Sequence, residues 1–131
     1  MSGVKDIELL LKSLSPKLTQ TEFVFCSVSG DVRDYLSLNP MAFFQESEGL
    51  TLVLEQSVAL DAGLAFEGAF KQITLTVHSS LEAVGLTAAV STKLASKGIS
   101  ANVIAAFYHD HIFVPSEQAD QALHALHEFN Q

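Results

Sequence analysis

The residues whose types and spacing first suggest chemistry are the five histidines. His109-x-His111 and His124-x-x-His127 have separations that metal ligands use, but His109 and His111 bracket a predicted hairpin turn, where side chains can diverge. On the last predicted helix His127 flanks the apolar face and His124 points to water. Apart from Asp110, no cysteine or acid at short range completes a tetrahedral set, so no metal site is predicted. Nucleophilic chemistry has as little to work with. Ser79-Ser80 beside His78 lacks an orienting carboxylate, and the chain contains no G-x-S-x-G elbow, H-E-x-x-H pair or phosphate-binding glycine loop. Glu46 and Glu48, two apart on a predicted helix, face different directions and read as a solvated face. Cys26, inside the apolar run F-V-F-C-S-V, reads as a small core residue. The chain is read as non-enzymatic, with no cofactor.

A different chemistry is available at Gly85. Backbone N–H groups at the start of a helix lack intrahelical acceptors and carry the positive end of its dipole, which suits a ligand carboxylate. Glu82 beside that turn could pair with an ammonium group. The alternative is structural: Gly85 permits close packing of helix on strand, and Glu82 is a favourable acid in a first helical turn. The sequence leaves both readings open.

Composition narrows the partners. Fifteen acidic against seven basic residues give a formal charge of −8, and the basic residues are scattered, so no stripe neutralises a phosphate backbone or an anionic membrane. Nucleic acid and membrane are therefore not expected as partners. The apolar stretch from Val58 to Phe66 is broken by Asp61 and Gly63 and is too short for a bilayer. The opening M-S-G-V-K-D-I-E does not read as a signal peptide, and a cytoplasmic protein is expected. With 48% apolar and 17% charged residues, the chain has the composition of a folded globule.

These residues need elements to hold them. Ile7, Leu10, Leu11 and Leu14 recur at helical spacing, and Ser15-Pro16 stops the pattern. Residues 22–28 read as a buried strand ending at the turn Ser29-Gly30-Asp31. Asn39-Pro40 then predicts a short helix over 41–48 ended by Gly49, followed by a strand over 50–55. The small-residue breaks in 57–69 fit a hairpin or a loop. Residues 71–78 alternate, with Ile73, Leu75 and Val77 on one face and Gln72, Thr74, Thr76 and His78 on the other, which predicts a strand covered on one side only. Leu86, Ala89, Val90 and Leu94 return to helical spacing, and Gly98 caps that helix. Two short strands follow, joined around Tyr108–Asp110. A last helix has Ser116 as its N-cap and a buried face of Ala119, Ala122, Leu123 and Leu126.

Residues 71–129 thus read β-α-β-β-α, a ferredoxin-like plan lacking its fourth strand, and the N-terminal helix and strand look like the missing piece displaced to the front. Strand, helix and closing glycine recur at Gly49 and Gly98, an offset of about fifty residues, in the range of repeated units. The expected fold is α+β: antiparallel sheets with helices on one face, built from two interleaved repeats, 1–69 and 70–131. An antiparallel edge and a partly apolar sheet face need covering, so a homodimer is expected.

The stretch V-G-L-T-A-A-V-S-T-K-L-A-S-K-G-I-S-A-N-V-I, continued by H-D-H-I-F-V-P-S-E-Q-A-D-Q-A-L-H-A-L-H, resembles the ACT domains of aspartokinases. There a Pro-Gly-Val turn opens the helix, Gly-Ile-Asn closes it, and a hairpin with His near its tip leads into a helix ending Ala-Leu-x-x-Leu-His. The resemblance covers residues 84–127, and the whole chain resembles small bacterial stand-alone tandem ACT proteins. It implies a regulatory module that senses a small metabolite, usually an amino acid, at the turn from first strand to first helix and at the start of the second strand, often across a dimer interface. Carried over, Glu82 stands at the family's frequent Asp, Val84 at its Pro, Gly85 at its Gly and Ser100 at its Asn. Three of these four positions differ in residue type. Asn102 offers an amide two residues beyond Ser100, and the expected ligand-binding set is Glu82, Val84, Gly85, Leu86, Ser100 and Asn102.

Overall fold

The computed structural model describes residues 3–76 and 85–131, with the side chains of 3–6 left aside. Val77, His78, the Ser79-Ser80 pair, Glu82 and Val84 lie outside the described residues. The elements in chain order are helix α1 (Gly3–Lys12), strand β1 (Ser15–Val28), a 3-10 turn (Val32–Leu38), strands β2 (Ala42–Glu46) and β3 (Gly49–Glu55), helix α2 (Gln56–Asp61), strand β4 (Phe70–Thr76), helix α3 (Leu86–Ser96), strands β5 (Asn102–Ala105) and β6 (Asp110–Pro115), and helix α4 (Ala119–His127), with short 3-10 turns on either side of α4. Two compact units result, one of residues 1–20 and 71–131, the other of 21–70. The strand β1 contributes its first part to one and its last part to the other.

In the first unit the strands run β1-β4-β6-β5. This is the ferredoxin-like arrangement, completed in the place of the absent fourth strand by the first part of β1, residues 15–20; the strand expected at 22–28 pairs with β3 in the other unit instead. The core sets Ile73 and Leu75 of β4 and Ile112 and Val114 of β6 against Leu86, Val90 and Leu94 of α3 and Ala119, Ala122, Ala125 and Leu126 of α4. Both helices therefore lie on one sheet face, each presenting the apolar stripe read from its spacing. Ala125 takes the fully buried place expected of Leu123, which is only half-buried. The Asn130 amide donates to the carbonyls of Lys12 (3.0 Å) and Leu14 (2.8 Å), tying the end of α1 to the end of α4. Glu128 accepts from Lys93 at 3.0 Å, and that ammonium lowers the Glu128 pKa from its ordinary value.

In the second unit the strands run β2-β3-β1, both pairs antiparallel. Val24 and Cys26 of β1, Leu50, Leu52 and Leu54 of β3 and Ala59 of α2 form its core, with Val32, Tyr35 and Leu38 of the 3-10 turn packed against it.

Five expectations are corrected. Residues 41–48 are not a helix: Ala42–Glu46 is strand β2, hairpinned to β3 with Glu46 opposite Gly49. The local pattern favours a helix, but pairing with β3 overrides it. Glu46 accordingly sits on a strand, where it accepts from the Thr51 hydroxyl. Gly49 is the first residue of β3 and not a helix cap: at φ 155° a Cβ would lie 3.1 Å from both Ser27 Oγ and the Val28 carbonyl. Residues 57–69, read as a hairpin or a loop, begin with the short helix α2. Ser116 does not cap the last helix. Pro115 and Gln118 stand at the cap positions of the 3-10 turn and of α4, neither with a side-chain cap bond, because the chain enters α4 through that turn, and the Ser116 hydroxyl is buried without a partner. Finally, β4 is not covered on one side only, since Gln72 is also buried, at 7% exposure.

Gly49→Ala tests the hairpin. Left-handed backbone strain and the close approach to the Val28 carbonyl should together cost about 2 kcal/mol. The expected readout is a lower urea midpoint with an unchanged slope.

Candidate functional site: the turn into the third helix

Helix α3 begins at Gly85, whose φ of 99° is a conformation that favours glycine. Its carbonyl accepts from the Ala89 N–H at 2.9 Å, which starts the helical ladder, and Gly85 at the cap position has no side chain with which to cap the first turn. The geometry needed to hold an anion with backbone donors is therefore present. Leu86 is buried at 2% exposure, so its side chain anchors α3 in the core and its backbone N–H is the group it offers. The structure adds a neighbour that local patterns could not reveal: a Cβ on Gly85 would lie 3.3 Å from Cγ1 and Cδ1 of Ile7. Helix α1 thus packs over this turn, and the close-packing role of Gly85 is real.

Ser100 and Asn102 lie beyond the other end of α3. Eleven residues of helix span roughly 16 Å. The helix closes at Lys97 and Gly98, with the Ile99 N–H bonded to the Leu94 carbonyl at 3.0 Å. Ser100 is exposed. Asn102 opens β5 and its amide donates to the Phe113 carbonyl at 3.2 Å, so part of its hydrogen-bonding capacity serves the strand pair. Within one chain, the described members of the expected set divide into Gly85 and Leu86 at the start of α3, and Ser100 and Asn102 after its end.

A second polar constellation has formed around His111. Its Nδ1 lies 2.9 Å from the Gln72 amide nitrogen and 3.0 Å from the Thr74 hydroxyl, both on β4. The Gln72 amide nitrogen donates to Nδ1, which as an acceptor belongs to the neutral imidazole, and the Thr74 hydroxyl lies beside the same nitrogen. His109 stands beside it, ring centroids 6.4 Å apart and nearly perpendicular, so the two side chains stay close instead of diverging across the hairpin. His109 Nδ1 is buried and has no hydrogen-bond partner among the described residues. Among the described residues, no three His, Cys, Asp or Glu side chains come together as a metal site. The alternation of β4 was visible in the sequence, and with the strand order it would have brought Gln72 and Thr74 to His111. Burial raises the Cys26 thiol above its ordinary pKa, in keeping with a core role.

Burial lowers the His111 pKa from 6.5, repulsion from His109 lowers it further, and Asp110 partly offsets both. Between that lowered value and 6.5 the unfolded chain binds a proton that the folded chain does not. The contribution of His111 is therefore complete above 6.5 and is lost as pH falls toward the lowered value. Urea midpoints measured from pH 8 to 5 should fall across this window, and His111→Gln should flatten the fall. An unchanged pH slope in that variant would remove His111 from the account.

Comparison with known proteins matches this geometry to a family. Two ACT-domain family models match, over residues 2–71 and over residues 69–128. No curated protein matches the chain. A crystal structure from Vibrio cholerae, described as a protein of unknown function and possible transport protein, is 63% identical with a TM-score of 0.93, covering 99% of this chain and 100% of that one. A protein from Agrobacterium tumefaciens is 14% identical, with a TM-score of 0.71 and 89% of each chain covered. The ligand-free regulatory subunit of aspartate kinase from Thermus thermophilus is 13% identical, with a TM-score of 0.67 and coverage of 88% and 96%. These last two are likenesses of fold. With both matches covering successive stretches of its sequence, the chain belongs to the ACT-domain family.

Proposed function

We propose that this protein is a non-enzymatic regulatory module of two repeats, 1–69 and 70–131, that binds a small metabolite, an amino acid, in the cytoplasm. The observation that carries the reading is the Gly85 turn: a left-handed glycine, with no side chain of its own to cap the first turn, opens α3 in a member of a family whose domains typically bind regulatory ligands. The ligand carboxylate lies on the N–H groups that follow Gly85, with Leu86 beside it, and Glu82 and Val84 are the further residues the family resemblance assigns to the site. Ser100 and Asn102 come from the second chain of a homodimer. This agrees with the roughly 16 Å of helix that separates the two groups within one chain. The Thermus thermophilus protein, named as a regulatory subunit, supports a regulatory role without a catalytic one.

A thermal-shift screen with the twenty amino acids tests the reading. At a ligand concentration a hundred times Kd the gain is about 2.7 kcal/mol, a rise of several degrees in Tm. Gly85→Asp brings a like charge to the carboxylate position and is expected to abolish the response, and Ser100→Ala to weaken it. Silence from all twenty at millimolar concentration overturns amino-acid binding.

A second reading, a self-assembly module without a ligand, is favoured by one observation: Phe43 and Phe44 are exposed side by side on strand β2.

A further inference from the structure

Helix α1 shares its apolar spacing with α3 and α4 but not their burial. Leu86, Val90 and Leu94 of α3 and Ala119, Ala122, Ala125 and Leu126 of α4 are buried. Among the described side chains of α1, those of residues 7–12, Ile7, Leu10 and Leu11 are half-buried, Leu9 is 58% exposed and none is buried. A ten-residue helix is marginal in water by itself, so α1 persists by resting on α3 and the closing 3-10 turn. An element with so few buried apolar contacts opens at a lower free energy than a core helix.

Its two ends are held differently. At the C-terminal end the Ser13 hydroxyl donates to the Leu10 carbonyl at 2.9 Å, and the Asn130 amide bonds the Lys12 and Leu14 carbonyls. Leu14 and Pro16 are buried just beyond, and the ring of Pro16 fixes its own φ. That end is clamped. Toward the other end the hold on α3 is apolar: Cγ1 and Cδ1 of Ile7 lie 3.3 Å from where a Cβ of Gly85 would stand. An apolar contact has no required direction and breaks without leaving a polar group unpaired. Rotation about the clamped end is thus resisted by half-buried apolar area.

The place where Ile7 rests decides what such a rotation does. Carbon atoms in contact stand about 3.5–4.0 Å apart. Ile7 is already closer than that to the Cβ position of Gly85, so a ligand atom over this side of the turn and the Ile7 side chain exclude one another. Binding at the turn and seating of α1 then compete, and apparent affinity is reduced to the fraction of chains in which α1 is lifted. We infer that α1 is a hinged cover over the Gly85 turn: seated, it shuts the turn with Ile7, and lifted about Ser13, it admits a ligand. This rests on the reading of that turn as the metabolite site, to which it adds a brake built into the fold.

Cysteine labelling with DTNB reads the cover directly, native Cys26 being buried. Ile7→Cys should react roughly 10- to 1000-fold more slowly than exposed Leu9→Cys, as for an open state populated at about 0.1–10%. It should react at least roughly tenfold faster than Val90→Cys in the core of α3, which waits for the unit itself to open. Nineteen amino acids, cysteine omitted, mixed at millimolar concentration should speed Ile7→Cys and leave Leu9→Cys unchanged. On the unsubstituted chain, the amides of residues 7–12 should exchange hydrogen at least roughly tenfold faster than those of 90–96. Ile7→Cys no faster than Val90→Cys, or α1 amides as slow as those of α3, overturns the cover and leaves the ligand site standing. Ile7→Cys as fast as Leu9→Cys does the same, because α1 is then never seated. A thermal shift in the amino-acid screen with no gain in Ile7→Cys labelling also overturns it, since the ligand then binds beneath a seated helix. Silence in that screen overturns the site and the cover with it.

Discussion

Fourteen residues of extended chain, β1, are the constraint on which both units depend. Neither unit has a complete sheet without it: residues 15–20 lie beside β4, and residues 23–28 pair with β3. The same strand therefore satisfies backbone hydrogen bonds in both places, and its composition follows. Pro16 sits near its start, where a missing N–H is tolerated, while Phe23, Val24 and Cys26 in its second part are all buried. A break in this strand would leave each unit with an unpaired interior edge.

How much of this was legible depended on where the deciding information lay. The helices α1, α3 and α4 and the strands β4 to β6 are written in local periodicity, because each turns an apolar face to the core, half-buried in α1 and β5 and buried in the rest. The need for a displaced fourth strand was also readable, but its place was not: the pattern marked 22–28, and residues 15–20 fill it. Residues 41–48 were not: Asn39-Pro40 followed by Met-Ala-Phe-Phe-Gln-Glu is locally a helix start, and only the β3 pairing across the Ser47-Glu48 turn makes it a strand. The 3-10 turn over Val32–Leu38 is likewise held by Tyr35 and Leu38 packing on a core made by distant strands.

The candidate site divides along the same line. The left-handed geometry of Gly85 and the closing turn of α3 at Gly98 follow from glycine placement. The approach of Ile7 to Gly85, and the meeting of Gln72, Thr74 and His111, require knowing which elements are neighbours. Each of those contacts joins residues whose own local patterns are silent about the other.

The division of β1 also has a temporal side. Residues 21–70 are contiguous, so every contact inside that unit becomes available once a single stretch of chain has been synthesised. The other unit joins residues 1–20 to 71–131, and its first strand must wait while the entire intervening unit emerges. Contacts of high sequence separation form late because loop closure precedes their reward. On the ribosome, then, the middle of the chain can organise first and hold the second part of β1 extended, leaving its first part as a template on which β4 docks when it arrives.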